Sequence, residues 1–200
     1  MSFAITISRE YGSGGRFIAR ELAKKLGVAF YDNELIAQVA KETGYSMDYL
    51  KKNDEAKDSL WDGFSSAGGI ADPINIYTPT QNVALATFDT IKKLADEKDC
   101  VIVGRCASYV LRDKLDVLNV FITAPIQDKV FRAITYYGID PKKAEALIEK
   151  RTKERAQYFE FYTGKVWNSA STYDLCISAT IGVENCVDVI IDYAKRKRLF

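Results

Sequence analysis

Three of the four residues Gly12-Ser13-Gly14-Gly15 are glycines, and they stand between an apolar run, Phe3 to Ile7, and a stretch with helical apolar spacing, Phe17 to Leu26. A chain that begins this way is committed to a strand that turns tightly into a helix. That order gathers several backbone N–H groups and the positive end of a helix around one small concavity, which suits an anion. With Arg16 closing the turn, the expected anion is a nucleotide phosphate.

The turn matches the phosphate-loop pattern G-x-x-x-x-G-K-[ST] only in part. Arg9 stands where the first Gly belongs and Gly15 where the Lys belongs, while Phe17, two residues later, brings no hydroxyl for Mg²⁺. Other segments must supply the remaining chemistry.

Composition removes several classes of function. The chain has 200 residues, the length of one medium domain that builds a core without staples. Its 28 Lys and Arg nearly balance its 27 Asp and Glu, so neither a nucleic-acid-coating surface nor an acidic tail is implied. There is no histidine, which excludes Ser-His-Asp and Cys-His catalysis and makes an ordinary zinc site improbable at Cys100, Cys106, Cys176 and Cys186. Reduced, mostly buried thiols are expected instead. Without a bilayer-length apolar run or a signal-peptide pattern at Met1 to Ile7, a cytoplasmic protein with no membrane contact is expected.

Strand and helix signals alternate along the chain. After Phe3 to Ile7 come Val28 to Tyr31, Cys100 to Val103, Val117 to Ile122 and Leu175 to Ile177, short runs without the polar alternation of a half-exposed strand. Helices are expected from Glu34 to Glu42 behind Asp32-Asn33, from Gln81 to Lys98, from Ile126 to Tyr137 behind Pro125, from Asp140-Pro141 to about Tyr162, and from Glu184 to Arg198. The stretch from Tyr45 to Thr80 holds Gly63, Gly68, Gly69, Pro73 and Pro79 and reads as an insertion over one edge. Five buried strands separated by helices predict a doubly wound α/β fold with a parallel sheet, whose ligands collect beyond the strands' carboxyl ends.

Four polar groups fall at those ends. They are Ser8, Arg9, Glu10 and the glycine turn; Tyr31-Asp32; Gly104-Arg105; and Lys150, Arg151, Lys153 and Arg155 on the charged helix. Cations neutralise a transferring phosphoryl group and a carboxylate holds a hydroxyl or a metal-bound water, so this set suits phosphoryl transfer. Asp32 serves as a helix cap, a ligand contact, or both. Arg151 and Arg155 are four apart and share a helix face, as a phosphate clamp requires. The aromatic residues Tyr158 to Tyr162 and the basic tail Lys195 to Arg198 read as packing and as a complement to the last helix's negative end.

Ile5 to Arg16, Phe30-Tyr31-Asp32, Val101 to Arg105, Tyr162 to Lys165 and Tyr173-Asp174-Leu175, in that order, resemble the cytidylate kinase-like family, a branch of the nucleoside monophosphate kinases. The resemblance covers nearly the whole chain. It implies a three-layer P-loop kinase fold of one domain, with a core of about 1–44, 81–140 and 163–200, a monophosphate-binding insertion at about 45–80 and a helical lid at about 141–162. It further implies transfer of the γ-phosphoryl of ATP, with Mg²⁺, to CMP or dCMP. By position, Arg9 and Gly12, Ser13, Gly14, Gly15 and Arg16 would hold the ATP phosphates. Tyr31, Asp32 and Arg105 would face the monophosphate, and Arg16, Arg105, Arg151 and Arg155 would act on the transferring group. The departures at Gly15 and Phe17 leave Ser13, Ser8 or waters for the metal, and Cys106 stands where family members carry Asp. Three functions stay open: a cytidylate-type kinase, a kinase for another small acceptor, and a nucleotide-binding module that keeps the fold without turnover.

Overall fold

A computed structural model of the protein describes residues 2–32 and 79–200. The helix expected at Glu34 to Glu42 and nearly all of the insertion expected at about 45–80 lie outside the described residues. Five strands, β1 (Ala4–Arg9), β2 (Ala29–Tyr31), β3 (Cys100–Val103), β4 (Val117–Thr123) and β5 (Leu175–Ser178), form one sheet in the order β2-β3-β1-β4-β5. Every pairing is parallel, with Ile7 beside Val103 on one side and Val120 on the other. The described helices are α1 (Gly15–Leu26), α2 (Pro79–Glu97), α3 (Ala107–Val110), α4 (Ile126–Tyr137), α5 (Pro141–Thr163) and α6 (Val183–Arg196).

Alternation along β1 sorts its side chains between two cores. Ile5 and Ile7 enter the core beneath α1 and α6, with Ile18, Leu22, Val187 and Ile190. Ala4 turns to the opposite face, where Ile91, Leu94, Ile102, Phe121 and Phe159 pack. Both faces are covered over β1, β3 and β4, which explains why those strands read as unbroken apolar runs. The expectation of five buried strands fails at the two edges of the sheet, where β2 is half-buried and β5 exposes Cys176 and Ser178. Truncating a fully buried Ile such as Ile7 to Ala costs about 2–5 kcal/mol.

β1 outlasts the apolar run by two residues because its pairing with β4 continues to Arg9 opposite Ile122. Arg9 thus shares the parity of Ile5 and Ile7 and leaves the sheet on the side of α1. The chain proceeds from β1 to β2 and β3 on one side and to β4 and β5 on the other, so the strand order switches at β1. The crevice beyond its carboxyl end is the ligand position of such sheets. α5 opens on Asp140, whose carboxylate accepts the Lys142 amide at 2.9 Å, with Pro141 at the first helical position. Ala144 and Ile148 of α5 pack with Ala133 of α4 and with Tyr11 of the glycine turn.

Candidate active site

The turn after β1 has Gly12 and Gly14 in left-handed backbone, with φ of 77° and 86°. Gly12 lies against the backbone of Lys129 on α4, whose carbonyl would stand 3.0 Å from a Cβ. The fully buried Ser13 donates both its amide and its hydroxyl to the Glu10 carbonyl, at 3.3 and 2.9 Å. The amides of Phe17 and Ile18 donate to Gly14. Gly15 and Arg16 are the first two residues of α1, so their amides have no intrahelical acceptor and face the crevice with the helix's positive end.

Glu10 anchors the turn to the far side. Its carboxylate accepts from Thr123 Oγ1 at 2.6 Å and from Lys129 Nζ at 2.7 Å, with the Ala124 amide at 3.4 Å. Arg132, three residues beyond Lys129 on α4, reaches the Gly12 carbonyl at 3.5 Å and lies alongside Gly14.

On the near side, arginines from four segments cluster, and two of them reach one buried carboxylate. Asp32 pairs with Arg16 Nε and stands 4.0 Å from Arg9 Nη2. Arg155 of α5 donates to the Arg9 carbonyl at 3.1 Å, with its guanidinium 5.3 Å from the Tyr11 ring centre. Arg105, after β3, adds a like charge that acts on Arg9 and Arg155. Burial first, then the neighbouring guanidiniums of Arg155, Arg105 and Arg16, hold Arg9 well below its ordinary value against the pull of Asp32. Burial lowers Arg155 as well, while Tyr11 and Tyr137 pull it back up. Positive charge is concentrated here in a setting that disfavours it, and a polyanion would relieve it.

Gly104, Arg105 and Cys106 all take positive φ, 74°, 54° and 57°. Two of the three are not glycine, a strained turn of the kind found at ligand-binding positions. Burial pushes the Cys106 thiol up to about 12, so it is an inert neutral group.

The residues singled out from the sequence are distributed unevenly. Arg9, Arg16, Asp32, Arg105 and Arg155 come together. Arg151 instead faces Glu154 on its own helix at 3.6 Å and is half exposed. Tyr31 packs against the second core, with Lys98 Nζ 5.7 Å from its ring centre. Counted along the phosphate-loop pattern, the hydroxyl position falls on Arg16, one residue before Phe17; Phe17 stacks against Tyr137. Glu10 was among the polar residues singled out after the first strand, but its partners Lys129 and Arg132 across the turn were not among the candidates from sequence. The available signal was two cations three residues apart on the helix leaving β4, beside the switch point.

The donor set fits a protein-held Mg²⁺ poorly. Ser8 and Ser13 are both buried, and Ser13 already donates its hydroxyl. Asp32 and Glu10 are engaged by cations. Among the described residues no group of three or more His, Cys, Asp or Glu side chains is arranged to hold a metal ion.

In build, the chain has the three-layer fold of the P-loop kinases. Over 96% of its length it superposes on 98% of shikimate kinase from Bacteroides thetaiotaomicron, with a TM-score of 0.56 at 13% identity. An uncharacterized protein from Eubacterium ventriosum is nearer, with a TM-score of 0.74 and 29% identity over 97% of this chain and 99% of that one. A cytidylate kinase from Methanopyrus kandleri is 24% identical over 189 residues, 90% of this chain and 86% of that enzyme. Residues 4–181 match the cytidylate kinase-like family, and the chain belongs to it.

Proposed function

We propose that the protein is a nucleoside monophosphate kinase of cytidylate type, passing the γ-phosphoryl of ATP to CMP, dCMP or a related small acceptor. The observation that carries this reading is the cluster of Arg16, Arg105 and Arg155 around Arg9, with Arg9 and Arg16 on Asp32, beside the free amides of Gly15 and Arg16. Family membership and relatives named cytidylate kinase support it. The protein works in the cytosol on soluble nucleotides; among the described residues no helix is long and apolar enough to cross a membrane.

ATP phosphates lie on the turn from Gly12 to Arg16. An oxygen of the acceptor's phosphate attacks the γ-phosphorus, the bond to the β–γ bridging oxygen breaks, and ADP leaves with the electron pair. Charge spreads over the transferring oxygens in a loose transition state, so positioning and cations do the catalysis, without a covalent enzyme intermediate. Arg16 and Arg155 neutralise that charge, and Arg105 and Asp32 face the acceptor. α5 is the lid, held to the loop by the Tyr11 amide, which donates to Thr152 at 3.3 Å, and by Arg155. Mg²⁺ would be carried by the nucleotide and would supply further neutralisation of its phosphates, the described residues offering no His, Cys, Asp or Glu cluster to hold it.

Incubation with ATP, Mg²⁺ and a panel of nucleoside monophosphates should yield ADP and a diphosphate product. Absence of ADP with every acceptor, the panel extended to nucleosides and coenzyme precursors, rejects the reading. A second reading, a nucleotide-binding module without turnover, is favoured by Gly15 and Arg16 at the lysine and hydroxyl positions. It requires nucleotide-dependent thermal stabilisation with no phosphoryl transfer.

A further inference from the structure

A standard phosphate loop opens on glycine, and its lysine, six residues later, reaches the phosphates. This chain has arginine at the first position and glycine at the seventh. The structure shows that the two departures are one. Strand parity sends Arg9 to the α1 side of the sheet, directly beneath the first residue of that helix. A Cβ on Gly15 would stand 2.6 Å from the Arg9 Cβ, 3.1 Å from its Cγ and 3.2 Å from the Ile122 Cβ. Real side chains do not approach so closely, so position 15 must be bare while Arg9 is present. Farther along, a Cβ on Gly104 would overlap Arg9 Nη1. The arginine therefore runs between two glycines from separate crossovers, and its guanidinium emerges in the crevice beside Asp32.

We propose that Arg9 supplies the phosphate-binding cation that lysine supplies in a standard loop, reaching the phosphates from the strand side with Gly15 as its clearance. On binding, nucleotide phosphate replaces Asp32 as its counter-ion. The proposal rests on the active-site reading above and adds the origin of the cation. Three features of the geometry support it. Arg9 is the one guanidinium of the cluster carried by the sheet itself, so its backbone is fixed by the β1–β4 pairing, whereas the others stand on helices or a turn. Its forked group offers two parallel donors to two phosphate oxygens, where an ammonium offers a point charge. Burial and the neighbouring arginines already disfavour its charge, a penalty that a polyphosphate would remove.

The exchange predicts a specific pattern in a double-mutant cycle. ATP and inorganic tripolyphosphate are titrated calorimetrically into the wild type, Arg9→Gly, Gly15→Lys and the double variant at one fixed pH and ionic strength. Arg9→Gly should weaken ATP binding roughly 10–100-fold, the worth of one charge-assisted contact. Gly15→Lys, whose side chain collides with the Arg9 stem, should weaken binding and lower Tm together. The double variant restores the standard order of residues and should bind more tightly than the product of the two single effects allows. ATP affinity within twofold of wild type in Arg9→Gly, or strictly additive effects in the double variant, would overturn the proposal. Should Arg9→Gly fail to fold, Arg9→Gln keeps much of the stem without the charge, and undiminished ATP affinity there overturns it equally. A wild type that binds neither probe defeats the active-site reading itself, whereas a binding wild type indifferent to Arg9 defeats this proposal alone.

Discussion

Arg9 and Glu10 are neighbours in the chain and have opposite surroundings. Glu10 is satisfied by one ammonium, one hydroxyl and one amide, from α4, from β4 and from the turn between them, and its charge is balanced in place. Arg9 shares a single carboxylate with Arg16, while Arg105 and Arg155 press like charge on it from two other segments. A balanced buried ion pair fixes structure, and an unbalanced one is ready to take a ligand. The division falls between consecutive residues because β1 ends there, sending one side chain beneath α1 and the next across the turn to α4.

The sharpest way to break this comparison is to remove a cation from each side. Lys129→Met leaves the largely buried Glu10 carboxylate without its cation and should cost about 3 kcal/mol in urea unfolding; an unchanged midpoint would mean that the pair does not anchor the turn. Tripolyphosphate should act nearly as strongly on the other side. It should stabilise the wild type by about 2.7 kcal/mol at a hundredfold excess over Kd, measured as a Tm shift well above that from chloride at equal ionic strength. Arg16→Gln should alter stability by less than about 1 kcal/mol, because Arg16 is partly exposed and Arg9 remains beside Asp32, yet weaken ATP binding roughly tenfold. Loss of stability without loss of affinity would reverse the assignment of the two sides. Arg151→Ala, at a half-exposed helix position facing Glu154, should cost about 0.5 kcal/mol or less in stability and leave turnover close to wild type. A large loss of kcat with stability unchanged would bring Arg151 back into the site. The smallest effect near neutral pH belongs to the Cys100 and Cys106 thiols, which are uncharged there. Burial pushes both up to about 12, above their ordinary value of 9.0. Their contribution is therefore complete below about pH 9 and lost as pH rises toward 12. A pH series of unfolding midpoints that is flat from 9 to 11 would contradict it.

The central sheet was legible because a strand covered on both faces has no reason to alternate: Cys100 to Val103 and Val117 to Ile122 read as buried, and they are, except for the partly exposed Asn119. Pro125 and the Asp140-Pro141 pair marked helix starts by chemistry that does not depend on the rest of the fold. The site was less legible. The phosphate turn and the arginines at 9, 16, 105 and 155 were visible as a set, but the local sequence gives no sign that Arg16 pairs with Asp32 or that Arg9 occupies the space beneath Gly15. Those facts depend on how far β1 stays paired with β4, a property of the neighbouring strand. Lys129 and Arg132 went unremarked because a cation on an amphipathic helix ordinarily faces water, and only the rotation of α4 against the turn brings them inward. The four-residue helix α3 escaped for a similar reason, since it follows a reversal of backbone hand at residues that usually avoid it.

That reversal acts as a filter on what mutation can leave behind. At 105 and 106 the left-handed backbone tolerates asparagine or glycine far better than valine or isoleucine, whatever the size or polarity of the newcomer. Drift along this rim is therefore governed by handedness before chemistry, and a guanidinium that persists there does so against a conformational bias of its own.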